Sequence, residues 1–332
     1  MSQRELLEDY FGDTVCYDPG QLVNPAGKNF SCIKSIGQAI ADINGPAMTA
    51  IEMGVSISGT NTSGIDAAIQ AAQQADRVVL CLGLDTVNVE HEGLDRKVTT
   101  LPGIQEDFAK QILALGKITI IVLVNGGSIA IDDLVEPAAA IVEAFYPATQ
   151  GADALANILF GNNNRWGKMP YTIYGQNYIN EVAMNDMSMT NGKGRTYKYY
   201  TGEPLYPFGY GLSYGTFPIR SCSHVSGLYD VECTLCHNTG MPGDEVLLVF
   251  HRVSDGIRQS VSALHPVPAK QLVQFERFSL NSVGQCATHR FVLTSDSFAL
   301  TDATGNRVLY PGDHFIDVTN GADQTQTVTF SF

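Results

Sequence analysis

Between residues 50 and 160 the chain alternates short, nearly continuous apolar runs with stretches of helical period. Arg77–Leu84 and Lys117–Val124 are built from Val, Ile and Leu with little polar alternation, so both read as strands buried on two faces. Thr49–Ile57 and Ala139–Phe145 read as further strands. Ile65–Ala75, with Ala and Ile at i, i+3 and i+4, predicts a helix, as do Ile104–Leu115 and Ala152–Phe160. Buried strands alternating with helices specify an α/β layer, a doubly wound and mostly parallel sheet covered on both faces.

After Gly161 the pattern changes. Asn162-Asn163-Asn164, Asn191-Gly-Lys-Gly and Gly209-Tyr-Gly-Leu-Ser-Tyr-Gly are rich in turn formers and aromatic residues. From Phe217 onward, short alternating runs follow one another at Leu228–Cys236, Glu245–Val253, Lys270–Phe278, Arg290–Thr294 and His314–Thr319. Turn signals such as Tyr310-Pro-Gly-Asp separate them, with almost nothing helical between. This predicts an antiparallel β-sandwich. The expected boundary lies near Thr216, giving domains 1–216 and 217–332.

Composition narrows the partners. The chain carries 34 acidic and 20 basic residues, a net charge of −14. Nucleic acid is excluded as the expected partner, because phosphate contacts need clustered Lys and Arg. Apolar runs such as Ile118–Val124 fall well short of the ~20 residues of a membrane-spanning helix. Seven cysteines leave at least one thiol free or paired between chains. Cys16 and Cys32 flank an irregular Pro-, Gly- and Asn-rich segment and are expected to be bridged, whereas Cys81 reads as a buried thiol. Cys233 and Cys236 spell C-x-x-C, but on a strand their side chains face opposite ways, which argues against a zinc or redox site. Asn29-Phe-Ser and Asn61-Thr-Ser are glycosylation sequons. The first ten residues lack an apolar signal region, so no signal peptide is expected.

In a parallel sheet, chemistry gathers at the loops that leave the carboxyl ends of the strands. Three such loops are Asp85–Arg96, Asn125-Gly-Gly-Ser and Tyr146-Pro-Ala-Thr-Gln-Gly, which should converge on one edge. The first brings Glu90, Glu92 and Asp95 close together, and crowded carboxylates suit general acid catalysis. The competing reading is a solvated acidic loop shaped by an Asp95–Arg96 pair. Glu90-His91-Glu92 makes a poor metal site, since adjacent residues on an extended loop diverge and no second cluster joins them. Asn125-Gly-Gly-Ser lacks the glycine pattern and the acidic residue of a dinucleotide site. Gly211-Leu-Ser-Tyr-Gly matches G-x-S-x-G without the strand and helix a nucleophile elbow needs. Neither a cofactor nor a metal is expected.

The segment Gly83–Gly103 carries a resemblance. Gly-Leu-Asp-Thr-Val-Asn-Val-Glu-His-Glu-Gly-Leu-Asp-Arg, followed by Leu101-Pro-Gly-Ile-Gln, resembles the C-terminal α/β domain of glycoside hydrolase family 3, in its β-xylosidase branch. Phe160-Gly-Asn-Asn-Asn-Arg-Trp-Gly-Lys-Met-Pro, Gly194-Arg-Thr-Tyr-Lys-Tyr-Tyr and Tyr206-Pro-Phe-Gly-Tyr-Gly-Leu-Ser-Tyr agree in order. The tail, with Lys270-Gln-Leu-Val-Gln-Phe-Glu-Arg and Tyr310-Pro-Gly-Asp-His, is similar to that family's fibronectin type III-like domain. The resemblance implies a retaining glycosidase for xylose- or arabinose-containing oligosaccharides, and an extracellular setting. It implies that a (β/α)8 barrel supplies an Asp nucleophile while the α/β domain supplies the general acid/base on its first loop. The Glu of E-G-x-D-R corresponds to Glu92, with Glu90 the second candidate and Asp95 and Arg96 structural. No stretch ahead of residue 50 is long enough for that barrel, so it is expected to be missing and this chain to be inactive alone. One local departure is Ala148-Thr-Gln-Gly-Ala152, where the family usually has Gly-Glu-x-Gly-Gly. The rival reading is a non-catalytic carbohydrate- or partner-binding protein that kept both domains.

Overall fold

A computed structural model describes residues 6–7, 30, 32–227, 229–322 and 324–332. The chain divides into two compact units, Met1–Asn162 and Asn163–Phe332. Residues 163–216, ahead of the expected boundary at Thr216, fall within the second unit.

The first unit contains α1 (Ile36–Asn44), α2 (Ile65–Gln74), β1 (Arg77–Gly83), α3 (Gln105–Leu113), β2 (Ile118–Val124), α4 (Asp132–Val135), β3 (Ala140–Glu143) and α5 (Gly151–Leu159). The strands form one parallel sheet in the order β1-β2-β3. Central β2 buries Ile121, Val122, Leu123 and Val124, as its unbroken apolar run requires. Helix α1 packs on α5, and α3 on α2 and α4. Ser35 starts α1 with a reciprocal cap, its hydroxyl accepting from Gln38 N while the Gln38 side chain accepts from Ser35 N. The register pairs Gly83 with Val124 and Leu123 with Glu143, so all three strands end at the same edge. The α/β layer is as the pattern predicted.

The expected strand at Thr49–Ile57 is not one. A 3-10 turn at Pro46–Met48 precedes it, and no ladder forms along it. The buried Gln105 takes the place of a strand neighbour: its Nε2 donates to Ile57 O and Gly83 O (both 2.8 Å), and its Oε1 accepts from Gly83 N (2.9 Å). A buried side chain can thus satisfy backbone groups that a ladder would otherwise serve.

The second unit opens with two single helical turns, α6 (Tyr178–Glu181) and α7 (Thr196–Tyr199). Its strands are β4 (Gly215–Thr216), β5 (Ile219–His224), β6 (Val231–Cys236), β7 (Thr239–Gly240), β8 (Gly243–Val253), β9 (Gln271–Leu280), β10 (Cys286–Phe291), β11 (Leu300–Thr301), β12 (Arg307–Val308), β13 (Asp313–Thr319) and β14 (Thr325–Ser331). A three-stranded antiparallel sheet, β10-β6-β5, and a four-stranded one, β14-β13-β8-β9, make the sandwich. Both contribute to one core that includes Leu235, Val249, Phe291, Phe298 and Ile316. Contrary to the expectation of an all-strand segment, α8 (Asp255–Val261) follows β8, and the Ser254 hydroxyl caps it by accepting from Ile257 N. Among the strands of the two main sheets, β5 and β14 were also absent from the expected set.

The C-x-x-C cysteines serve two different bridges. Cys233 on β6 joins Cys222 directly across on β5, and Cys236 joins Cys286 across on β10. Cys81 is the free thiol among the described residues. Cys32 is disulfide-bonded, while Cys16, its expected partner, lies outside the described residues.

Candidate functional site

The first loop is wound by its own backbone. Leu84 N donates to Val124 O (2.9 Å), extending the ladder one residue past β1. The buried Asp85 then turns the chain: its Oδ1 accepts from Val87 N (2.8 Å) and Asn88 N (2.5 Å), and its carbonyl accepts from Glu90 N (3.2 Å). His91 and Leu94 exchange both backbone hydrogen bonds (3.2 and 2.9 Å), which leaves Glu92 and Gly93 at the tip of a two-residue turn. Gly93 takes φ 85°, the left-handed value that the second corner of such a turn requires.

This winding separates the two candidate carboxylates. Glu90 points inward, where Oε2 accepts from Arg96 Nε (2.8 Å) and Oε1 accepts from Gly127 N (2.9 Å). Arg96 continues the contact, donating from Nη2 to Ser128 O (2.8 Å). The Glu90 and Arg96 side chains keep only 20% and 13% of their surface exposed. Glu90 therefore fastens the first loop to the second, and Arg96 answers Glu90 rather than forming the expected pair with Asp95. Glu92 sits exposed at the turn tip.

The second and third loops complete the edge. A Cβ at Gly127 would come 2.6 Å from Glu90 Oε2 and 2.7 Å from Arg96 Nη2, so any side chain here would push the Glu90–Arg96 pair aside. The Tyr146 ring lies against Gly126, and its phenol is pushed up to about 12 by burial first and by the charge of Glu90 second. The three loops named from the sequence do converge. Ala148, at the first family glycine, and Phe145 both adopt left-handed backbone, with φ 60° and 52°.

Two residues escaped the sequence reading. Gln105, inside the Leu-Pro-Gly-Ile-Gln motif, clasps the end of β1. Glu143 ends β3 with its carboxyl largely buried, pushed up to about 7 by that burial and restrained by the hydrogen bond from Phe145 N. Its signal was a lone acidic residue inside an apolar run. Among the described residues, no three His, Cys, Asp or Glu side chains gather closely enough to hold a metal ion, and no helix is long and apolar enough to cross a membrane.

Comparisons with known proteins agree on one lineage. The glycosyl hydrolase family 3 C-terminal domain matches residues 13–214. The chain is 32% identical over 304 residues to a probable exo-1,4-beta-xylosidase of Neosartorya fischeri, covering 84% of this chain and 38% of that protein. It is 30% identical over 297 residues to an exo-1,4-beta-xylosidase of Emericella nidulans, covering 81% and 36%. Among solved structures, a family 3 exo-beta-xylosidase in complex with a xylobiose aziridine probe superposes with a TM-score of 0.75 at 28% identity, over 84% of this chain and 39% of that one. A family 3 beta-glucosidase of Bifidobacterium adolescentis shares the fold, with a TM-score of 0.79 at 22% identity over 95% of this chain and 47% of its own. A parallel α/β layer with a carboxylate loop over its strand ends, followed by a β-sandwich, is thus the C-terminal architecture of a glycoside-hydrolase class. The chain belongs to glycosyl hydrolase family 3, and its curated relatives named here are xylosidases. It spans less than two fifths of the length of those relatives.

Proposed function

We propose that this chain is the acid/base-bearing part of a retaining β-xylosidase-type hydrolase, acting on xylose- or arabinose-containing oligosaccharides. Glu92 is the general acid/base. The observation that carries this assignment is the loop winding: Glu90 is committed to Arg96 and Gly127, while Glu92 stands exposed at a turn tip. A retaining mechanism places two carboxylates ~5–5.5 Å apart, one attacking the anomeric carbon and one protonating the departing oxygen. Glu92 supplies the second role, and the Asp nucleophile comes from a (β/α)8 barrel segment. The exposed apolar side chains of Val87, Leu94 and Val98 on and beside the loop favour a covering partner at this edge. Residues 217–332 form the fibronectin type III-like domain of this reading, and the two cross-strand disulfides favour an oxidising, extracellular setting.

The test combines the chain, by fusion or mixing, with a family barrel segment and measures aryl β-xyloside hydrolysis. Glu92→Ala should slow substrates with poor leaving groups by ~10²–10⁴-fold, spare activated leaving groups at the glycosylation step, and respond to azide. Glu90→Ala should instead loosen the loop and reduce turnover with both substrate types. Azide rescue of Glu90→Ala, with none for Glu92→Ala, would reverse the assignment.

A further inference from the structure

Behind the loops, two strand ends hold polar atoms whose needs do not match. Asn125 follows β2 and is 0% exposed. Its Nδ2 donates to Gly127 O (3.0 Å), which fixes the orientation of the amide and leaves Oδ1 buried without a partner. Glu143 ends β3 in register with Leu123, two residues before Asn125. Side-chain alternation therefore sets Asn125 and Glu143 on the same face of the sheet. Glu143 Oε1 accepts from Phe145 N (3.1 Å), and Oε2 is buried without a partner. An ionised Glu143 would leave two acceptors buried and unanswered, an arrangement native proteins rarely keep. One proton satisfies both.

We propose that Glu143 is held as a neutral carboxylic acid that donates from Oε2 to Asn125 Oδ1, and is thereby a positioning residue for the acid/base loop. The connection runs through hydrogen bonds already described. Glu143 orients Asn125, Asn125 Nδ2 holds Gly127 O, Gly127 N holds Glu90 Oε1, and Arg96 closes the clamp from the other oxygen of Glu90. Burial raises the Glu143 carboxyl from 4.5 to about 7, and the Asn125 side chain lies within hydrogen-bonding reach of it. Asp85, Glu90 and Arg96 from the first loop act on Tyr146 of the third. Glu143 is shifted by burial and opposed by the Phe145 N–H, while the Asn125 amide donor is engaged at Gly127 O. Because this acid is raised in the folded state, the stabilising neutral form is full below about 4.5 and is lost as pH rises through about 7. Above that, Asn125 loses its donor and the Gly127–Glu90 contact loosens. The functional meaning rests on the proposed role of Glu92; the proton on Glu143 does not.

The experiment follows the backbone amides of Gly126 and Gly127 by NMR between pH 5 and 9, in the glycine-labelled chain. Wild type should show one transition near pH 7 at Gly127. Glu143→Gln should abolish it and hold Gly127 at its low-pH position, because the Gln amide supplies the same donor at every pH. Glu143→Ala should displace Gly127 throughout, and if that variant fails to fold, the Gln comparison decides alone. A Gly127 transition unchanged in Glu143→Gln, or a wild-type Gly127 that does not titrate, would overturn the proposal. In the barrel-complemented assay, Glu143→Gln should extend the alkaline limb of turnover. Failure of the Glu92 assignment would leave the Gly127 transition intact, so the two ideas can fail separately.

Discussion

Ala148 holds a backbone shape that its side chain resists, with φ 60° in the turn where Tyr146 and Pro147 lead into α5. A left-handed conformation costs an L-residue about 1–2 kcal/mol, while glycine gives back about 0.4–1 kcal/mol through the entropy of the unfolded chain. Ala148→Gly should therefore stabilise the first unit by about 0.5–1 kcal/mol, measured by thermal or denaturant unfolding. A loss of stability would mean that the methyl group packs well enough to outweigh the strain. The same scale explains the division between Glu90 and Glu92. The two lie two residues apart and read alike in sequence, yet the turn closed by His91 and Leu94 sends one to Arg96 and leaves the other exposed. The residue types were legible; their directions depended on a backbone hydrogen bond and a glycine at position 93.

At the scale of elements, alternation located most of the sandwich strands but not their covalent ties. The two disulfides join strand neighbours directly opposite one another, Cys222 with Cys233 and Cys236 with Cys286. Their sequence separations are 11 and 50 residues. In the chain-entropy picture these closures are worth ~3 and ~4 kcal/mol respectively. Replacing both members of each pair with Ser should destabilise the second unit in that order, with the Cys236–Cys286 pair costing more. Equal losses in denaturant melts would show that local strand strain, not loop closure, dominates. Helix α8 was missed because its seven residues are too few for a clear period, although Ser254 is a good N-cap. The Thr49–Ile57 run failed as a strand for a different reason. Its apolar composition was right for a ladder, but residues 50–53 lie exposed and, at its end, the Gln105 side chain meets the Ile57 carbonyl.

For the whole molecule, the governing fact is coverage: this chain corresponds to 38% of the Neosartorya fischeri relative and 39% of the probe-bound xylosidase structure. Acid catalysis by a single carboxylate supplies ~10²–10⁴-fold, whereas efficient enzymes exceed ~10⁶-fold. The chain by itself should therefore read near background with an aryl β-xyloside, and addition of a family barrel segment should raise turnover if the two dock. Robust hydrolysis by the chain alone, abolished by mutating one of its own carboxylates, would refute the two-part reading. The search would then return to Glu90 and Glu92 as a pair.

What the sequence by itself determined was local and periodic. Unbroken apolar runs at Arg77–Leu84 and Lys117–Val124 required burial on both faces, which a parallel sheet between helices provides. Because parallel strands end on one side, the order of strands and loops alone sets the three loops and their carboxylates at a common edge. The motif around Glu92 named the family for the same reason, being contiguous. What only the tertiary structure decided was every relation between residues far apart in sequence. Arg96 reaches across to Ser128, Gln105 clasps Gly83, and Glu143 on β3 lies on the same sheet face as Asn125 beyond β2. Hydrogen bonds carry no trace in composition or period, and the proton held by a buried carboxyl depends on solvent exclusion that exists only once the chain has packed.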